Sequence, residues 1–149
     1  MKSRYGLEIR VPDSTDAQGL SDLLSTAGPQ FSAQAMADRL TAIRQQPGAA
    51  LIAAEWGPPV GVVVLHWYPT LEADQPIAQI TTLLVAPDER RRGIGRLLLK
   101  SAAQTARTAG CGTLELLAAP DQPELLGFCA ASGFVAAGQR LIRPLRKKA

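Results

Sequence analysis

The chain is short of the residues from which many active sites are built. Its 149 residues include two cysteines, Cys111 and Cys129, and a single histidine, His66. Two cysteines so far apart form neither a Cys-x-x-Cys redox pair nor a zinc site, and they fit a reducing, cytoplasmic compartment. The longest aliphatic run, "VGVVVL", is far shorter than a bilayer span, and the opening "MKSRYGLEIRVPD" lacks the apolar stretch of a signal peptide. The expectation is a soluble protein with no metal and no membrane partner. Aromatic residues make up only 5% of the chain, and the basic C-terminus, about residues 143–149, has none interleaved. That tail therefore reads as a solvated terminus rather than a nucleic-acid arm.

Charge is unevenly spread. The net charge is +3, yet Arg140, Arg143, Arg146, Lys147 and Lys148 stand at the end without an acid, which leaves −2 for residues 1–139. The high pI is mostly a property of the tail. Hydrophobic residues are 46% of the total, enough for one sizeable core, and the length is that of a single domain over 1–149.

Period and punctuation give the organisation. "YGLEIRV" alternates as a strand, closed by Pro12 and Asp13. "STDAQGLSDLLSTAG" reads as a helix ended by Gly28–Pro29. Ser32 caps a second helix, "AQAMADRLTAIRQQ", which Pro47–Gly48 stops. "ALIAAEW" and "VGVVVLHWY" read as a hairpin, "IAQITTLLV" as a third strand ending before Pro87, and "GIGRLLLKSAAQTARTAG" as a long helix. The strand "GTLELLA", the short helix "PELLGFCAAS" and a last strand, "FVAAGQRLIRPL", complete the order β-αα-βββ-α-β-α-β. An α/β mixed sheet with helices on both faces packs such an order.

The stretch "LLVAPDERRRGIGRLLL" carries the chemistry. A helix that begins near Gly93 exposes its first backbone N–H groups, its macrodipole adds partial positive charge, and glycines let an anion approach. Arg90, Arg91, Arg92 and Arg96 add formal charge, which suits a pyrophosphate better than one carboxylate. The plain alternative is a basic loop that only starts a helix. A P-loop is excluded because Gly95 is followed by Arg96–Leu97 instead of Lys–Ser/Thr. A dinucleotide fingerprint is excluded because Leu98 stands where its third glycine belongs and "APDERRR" separates strand from glycine.

Together, Arg90-x-x-Gly93-x-Gly95 after a strand and a proline, the later "LGFCAASGF" and the element order resemble the GNAT superfamily of acyl-CoA-dependent N-acetyltransferases. The resemblance covers almost the whole chain. It implies the GNAT fold, with a mixed, mostly antiparallel sheet, and acetyl-CoA as cosubstrate without a metal. It also implies an amine acceptor, either a small molecule or an exposed peptide amine. A homodimer is compatible with it, and nucleic acid is not an expected partner. It places the pantetheine arm along Leu83, Leu84 and Val85. The pyrophosphate falls on Arg90, Arg91, Arg92, Gly93, Ile94, Gly95 and Arg96, and Phe128 matches the second signature.

The resemblance is incomplete where protons move. Many members keep an acid on the strand here written "AQITTLLV", where this chain has Gln79, Thr81 and Thr82, none of them a base. Gln122 stands near the family's Asn, and Cys129 replaces the tyrosine that acts as general acid. Cys129 is read either as a packed apolar residue or as a thiol that protonates the coenzyme thiolate. His66 is either a strand-end packing residue or a base acting through water. Trp67 and Tyr68 are open to the same two readings, as strand-end aromatics or as the lining of the substrate mouth. Residues 1–80 carry eight acids against five bases, which mildly favours a cationic amine. A non-catalytic coenzyme A-binding module is the alternative function, and a nucleic-acid binder a more distant one.

Overall fold

The computed structural model describes residues 7–28, 30–55, 57–89, 93–117 and 123–146. The chain divides into two compact units, Met1–Leu117 and Ala118–Ala149. The first holds a five-stranded sheet in the order β1-β2-β3-β4-β5. Its strands are β1 (Glu8–Arg10), β2 (Ala49–Glu55), β3 (Pro59–Tyr68), β4 (Ile77–Val85) and β5 (Thr113–Leu116). The first four are successively antiparallel, and β5 joins β4 in parallel through the crossover helix α3 (Ile94–Thr108). Helices α1 (Ala17–Ser25) and α2 (Ala33–Arg44) connect β1 to β2.

Local chemistry sets the helix starts. Asp13 accepts from the backbone N–H of Thr15 at 2.9 Å, while the Asp16 carboxylate accepts from the backbone N–H of Asp13 at 2.8 Å. This reciprocal box opens the turn Ser14–Asp16 that leads into α1. Asp16 is also ion-paired with Arg10, whose Nη1 donates at 3.0 Å, so the buried carboxylate ties β1 to the helix start. At α2 the Ser32 hydroxyl accepts from the backbone N–H of Ala35 at 3.0 Å, as an N-cap does.

Strand β3 is buried on both faces, which is why "VGVVVL" is an unbroken apolar run instead of an alternating one. Val62 and Val64 pack with Leu20, Leu23, Met36 and Leu40 of α1 and α2, with Leu84 of β4 against the same cluster. The alternate residues Gly61, Val63 and Leu65 look toward α3, which buries Ile94, Leu98, Leu99, Ala102 and Ala106 along one stripe. Gly61 fixes the closeness of that contact. A Cβ there would lie 2.9 Å from Leu98 Cδ1, 3.0 Å from Ile94 Cγ2 and 3.3 Å from the Leu84 carbonyl oxygen.

The second unit contains α4 (Pro123–Ala131). One expected element is not there: residues 134–146 form no strand. Val135, Leu141, Ile142 and Leu145 are each at least 72% exposed. Apolar residues make a strand only where a neighbouring edge supplies a ladder, and Pro144 has no N–H to give one.

Gly61→Val should lower stability by about 1–3 kcal/mol through overpacking against α3, read from the urea midpoint. The Asp13 carboxyl is held below its usual range by the hydrogen bonds from the Thr15 hydroxyl and backbone N–H. A carboxyl depressed by folding contributes stability above its unfolded pKa that is lost as pH falls through the folded value. Asp13→Asn, which keeps a cap but cannot titrate, should therefore flatten the acid limb of stability between about pH 5 and pH 1.

Candidate functional site

The site begins where β4 loses one neighbour. Parallel pairing with β5 runs from Ile77 opposite Thr113 to Ile80 opposite Leu116. Its flanking bonds are Gly112 N–H to the Pro76 carbonyl at 3.0 Å and Leu117 N–H to the Ile80 carbonyl at 3.3 Å. Beyond Ile80, among the described residues, β4 pairs only with β3, through Thr82 opposite Val64, Leu83 opposite Val63, Leu84 opposite Val62 and Val85 opposite Gly61. Since Leu65 pairs with Ile80 and Val64 with Thr82, Thr81 is the extra residue of a β-bulge. A bulge increases local twist and turns the strand. From Thr81 to Val85 the β5 side of β4 is thus an open edge of about 13 Å, at roughly 3.3 Å per residue. Its backbone donors and acceptors are available to an extended ligand.

That edge leads into the start of α3. Ala86 N–H bonds to the Val60 carbonyl at 2.8 Å, ending the hairpin, and Pro87–Glu89 makes one 3-10 turn. Gly93 then takes a left-handed conformation, φ 79° and ψ 8°, and acts as the N-cap of α3 without a side-chain cap. Only glycine takes that conformation without strain. The first helical bond is Leu97 N–H to the Gly93 carbonyl at 3.0 Å. The N–H groups of Ile94, Gly95 and Arg96 precede it and have no intrahelical acceptor. Ile94 and Leu98 are buried beside Gly61 and hold this first turn to the sheet, whereas Gly93 and Arg96 are exposed. Nothing lies within 4 Å of the Cβ position of Gly93. Free amides, a positive helix end, a guanidinium and open space together suit a phosphate group.

The structure therefore brings Leu83, Leu84, Val85, Gly93, Ile94, Gly95 and Arg96 to one end of the sheet. Arg90, Arg91, Arg92 and Gln122 lie outside the described residues. Thr81 is exposed in the bulge, and Gln79 is half-buried two residues before it, paired in register with His66. Phe128 and Cys129 belong to the second unit. There Cys129 is buried, its carbonyl accepts from the Phe134 N–H at 3.0 Å, and burial pushes its thiol above the ordinary range. The thiol is protonated at neutral pH. Two features escaped the sequence reading: the bulge at Thr81, which has no local signature, and the spacer role of Gly61, which a glycine inside an apolar strand does signal.

The Acetyltransferase (GNAT) family model matches residues 17–134. Among solved structures, a protein from Agrobacterium tumefaciens str. C58 assigned as an acetyltransferase is 29% identical, with a TM-score of 0.83, covering 92% of this chain and 99% of that one. An acetyltransferase of Trypanosoma brucei is 23% identical, with a TM-score of 0.79 over 93% of this chain and 99% of the other. Aminoglycoside N-acetyltransferase AAC(6')-Iy, in complex with CoA, is 19% identical, with a TM-score of 0.81 over 95% of each chain. No protein of curated function matches the sequence at a significant level.

Gly93→Val tests the cradle. A side chain at φ 79° costs about 1–2 kcal/mol, so the variant should be folded but less stable in urea. Its branched carbons enter the open space before the amides, so acetyl-CoA should no longer raise its melting temperature.

Proposed function

The chain belongs to the GNAT acetyltransferase family, and on that premise we propose that it moves an acetyl group from acetyl-CoA to a primary amine of a small molecule or peptide. The observation that carries the reading is the continuity of two binding elements, the unpaired β4 edge from Thr81 to Val85 and the uncapped start of α3 at Gly93. An extended arm with amides satisfies the first, and a pyrophosphate satisfies the second. In acetyl-CoA these are joined in one molecule.

Laid along β4, the pantetheine amides pair with backbone groups of Leu83, Leu84 and Val85 as an added strand would. The thioester then lies near the bulge, where a strand N–H freed from pairing polarises its carbonyl. A neutral amine attacks that carbon. The C–N bond forms, the C–S bond breaks, the amine gives up a proton, and the thiolate leaves as coenzyme A after taking one from solvent. Most of the acceleration comes from holding amine and thioester together.

Burial and the raised thiol pKa support a packing role for Cys129. Cys129→Ala should then cost on the order of 1 kcal/mol of stability and change kcat less than about threefold. A general acid would instead be worth about 10²–10⁴-fold.

The reaction itself is tested by thiol release from acetyl-CoA over a panel of an aminoglycoside, spermidine, glucosamine 6-phosphate and a short peptide with a free N-terminus. Acetyl-CoA at about 100 times its Kd should add roughly 2.7 kcal/mol of stability, and at least one amine should release thiol. Stabilisation without any release would instead favour a coenzyme-binding module, and absence of both would overturn the reading.

A further inference from the structure

The coenzyme edge leaves one chemical task without a residue. At neutral pH an aliphatic amine is protonated, and its lone pair must be freed before it attacks. Neither Gln79 nor Thr81 can take a proton, and the Cys129 thiol is a neutral acid. Along β3 and β4, the strands that form the bulge, the titratable side chains are His66 and Tyr68. A tyrosine ordinarily titrates near 10, so only the histidine changes charge in the neutral range.

Placement argues for the same residue. His66 is in register with Gln79 on β4, and Gln79 precedes the bulged Thr81 by two residues. Directly opposed residues have Cα atoms about 4.5–5.5 Å apart, and two residues advance a strand by about 7 Å. An imidazole with one intervening water spans that distance. By alternation His66 lies on the face of Val62 and Val64, where α1 and α2 pack. The apolar cluster on that face includes Val64 and does not include His66. His66 and Gln79 are half-buried, and Thr82, opposite Val64, continues the polar group on the same face. A histidine retained for packing is normally fixed by a hydrogen bond to its ring. Among the described residues, neither the imidazole nor the Gln79 amide is seen paired with a side chain or backbone group.

Building on the acetyltransferase reading, we propose that His66 is the general base, taking the ammonium proton of the acceptor at its imidazole, directly or through one water, on the side of the bulge opposite the coenzyme phosphates. The proton leaves nitrogen for the imidazole and passes on to solvent. The freed lone pair makes the C–N bond as the C–S bond breaks. Gln79, neutral and on the same face, offers the acceptor a hydrogen bond without competing for its proton.

The test uses His66→Ala and His66→Gln, the second keeping a polar side chain of similar reach that cannot take a proton. With the best acceptor from the panel above, both should lower kcat by about 10²-fold or more, and both should keep the acetyl-CoA thermal shift. Added imidazole should restore at least tenfold of the loss in His66→Ala and none in His66→Gln, a pattern that a structural role does not produce. If either folded, coenzyme-binding variant retains kcat within about threefold, or if imidazole fails to rescue the alanine variant, the assignment is overturned while the transferase reading stands. If the wild-type chain transfers acetyl to no amine, that reading falls, and this role with it.

Discussion

Everything proposed for this protein depends on β4 losing its second neighbour halfway along its length. For Ile77 to Ile80 the strand is paired on both sides, and from Thr81 onward it is paired on one. Unpaired backbone groups in the middle of a sheet are costly unless something satisfies them. Here the gap coincides with the bulge, and it is followed within a few residues by a helix start with free amides. The cost of the open edge is best understood as the space reserved for a ligand of matching backbone chemistry.

Packing keeps the two halves of that site in place. Gly61 is the point at which β3 lets α3 come close, with Ile94 and Leu98 lying over it. The same two residues are the buried anchors of the helix turn whose amides face outward. On the opposite face Val62, Val64 and Leu84 are held by α1 and α2. The strand that offers its edge is thus clamped from both faces while its β5 side stays free. A rigid edge beside a rigid helix end is what orientation-based catalysis requires, because acyl transfer gains most from fixing the geometry of two reactants.

Much of this was legible in the sequence, and the reason lies in locality. Asp13 and Ser32 announce helix starts because capping needs only residues within three positions. Gly93 marks the start of α3 because a left-handed residue ahead of a helix is written as glycine. The unbroken "VGVVVL" follows from burial on both faces, and the Arg90–Gly95 spacing from the demands of an anion. Features set by register were not legible. The bulge at Thr81 exists because β3 and β4 align that way, and a threonine among β-branched residues gives no sign of it. "FVAAGQRLIRPL" has strand composition, yet residues 134–146 form none, since a strand depends on a neighbour that no local rule supplies. The pairing of His66 with Gln79, thirteen residues apart in the chain, is likewise a consequence of alignment alone.

The central claim is that acetyl-CoA completes the open edge of β4 and caps α3. It is tested most directly by amide hydrogen exchange on the protein with and without acetyl-CoA. Slowed exchange concentrated in 81–85 and 93–97, with the β2–β3 ladder unchanged, is the result this account predicts. Slowing confined to other segments, with the amides of Thr81–Val85 and Ile94–Arg96 exchanging as in the free protein, would contradict it.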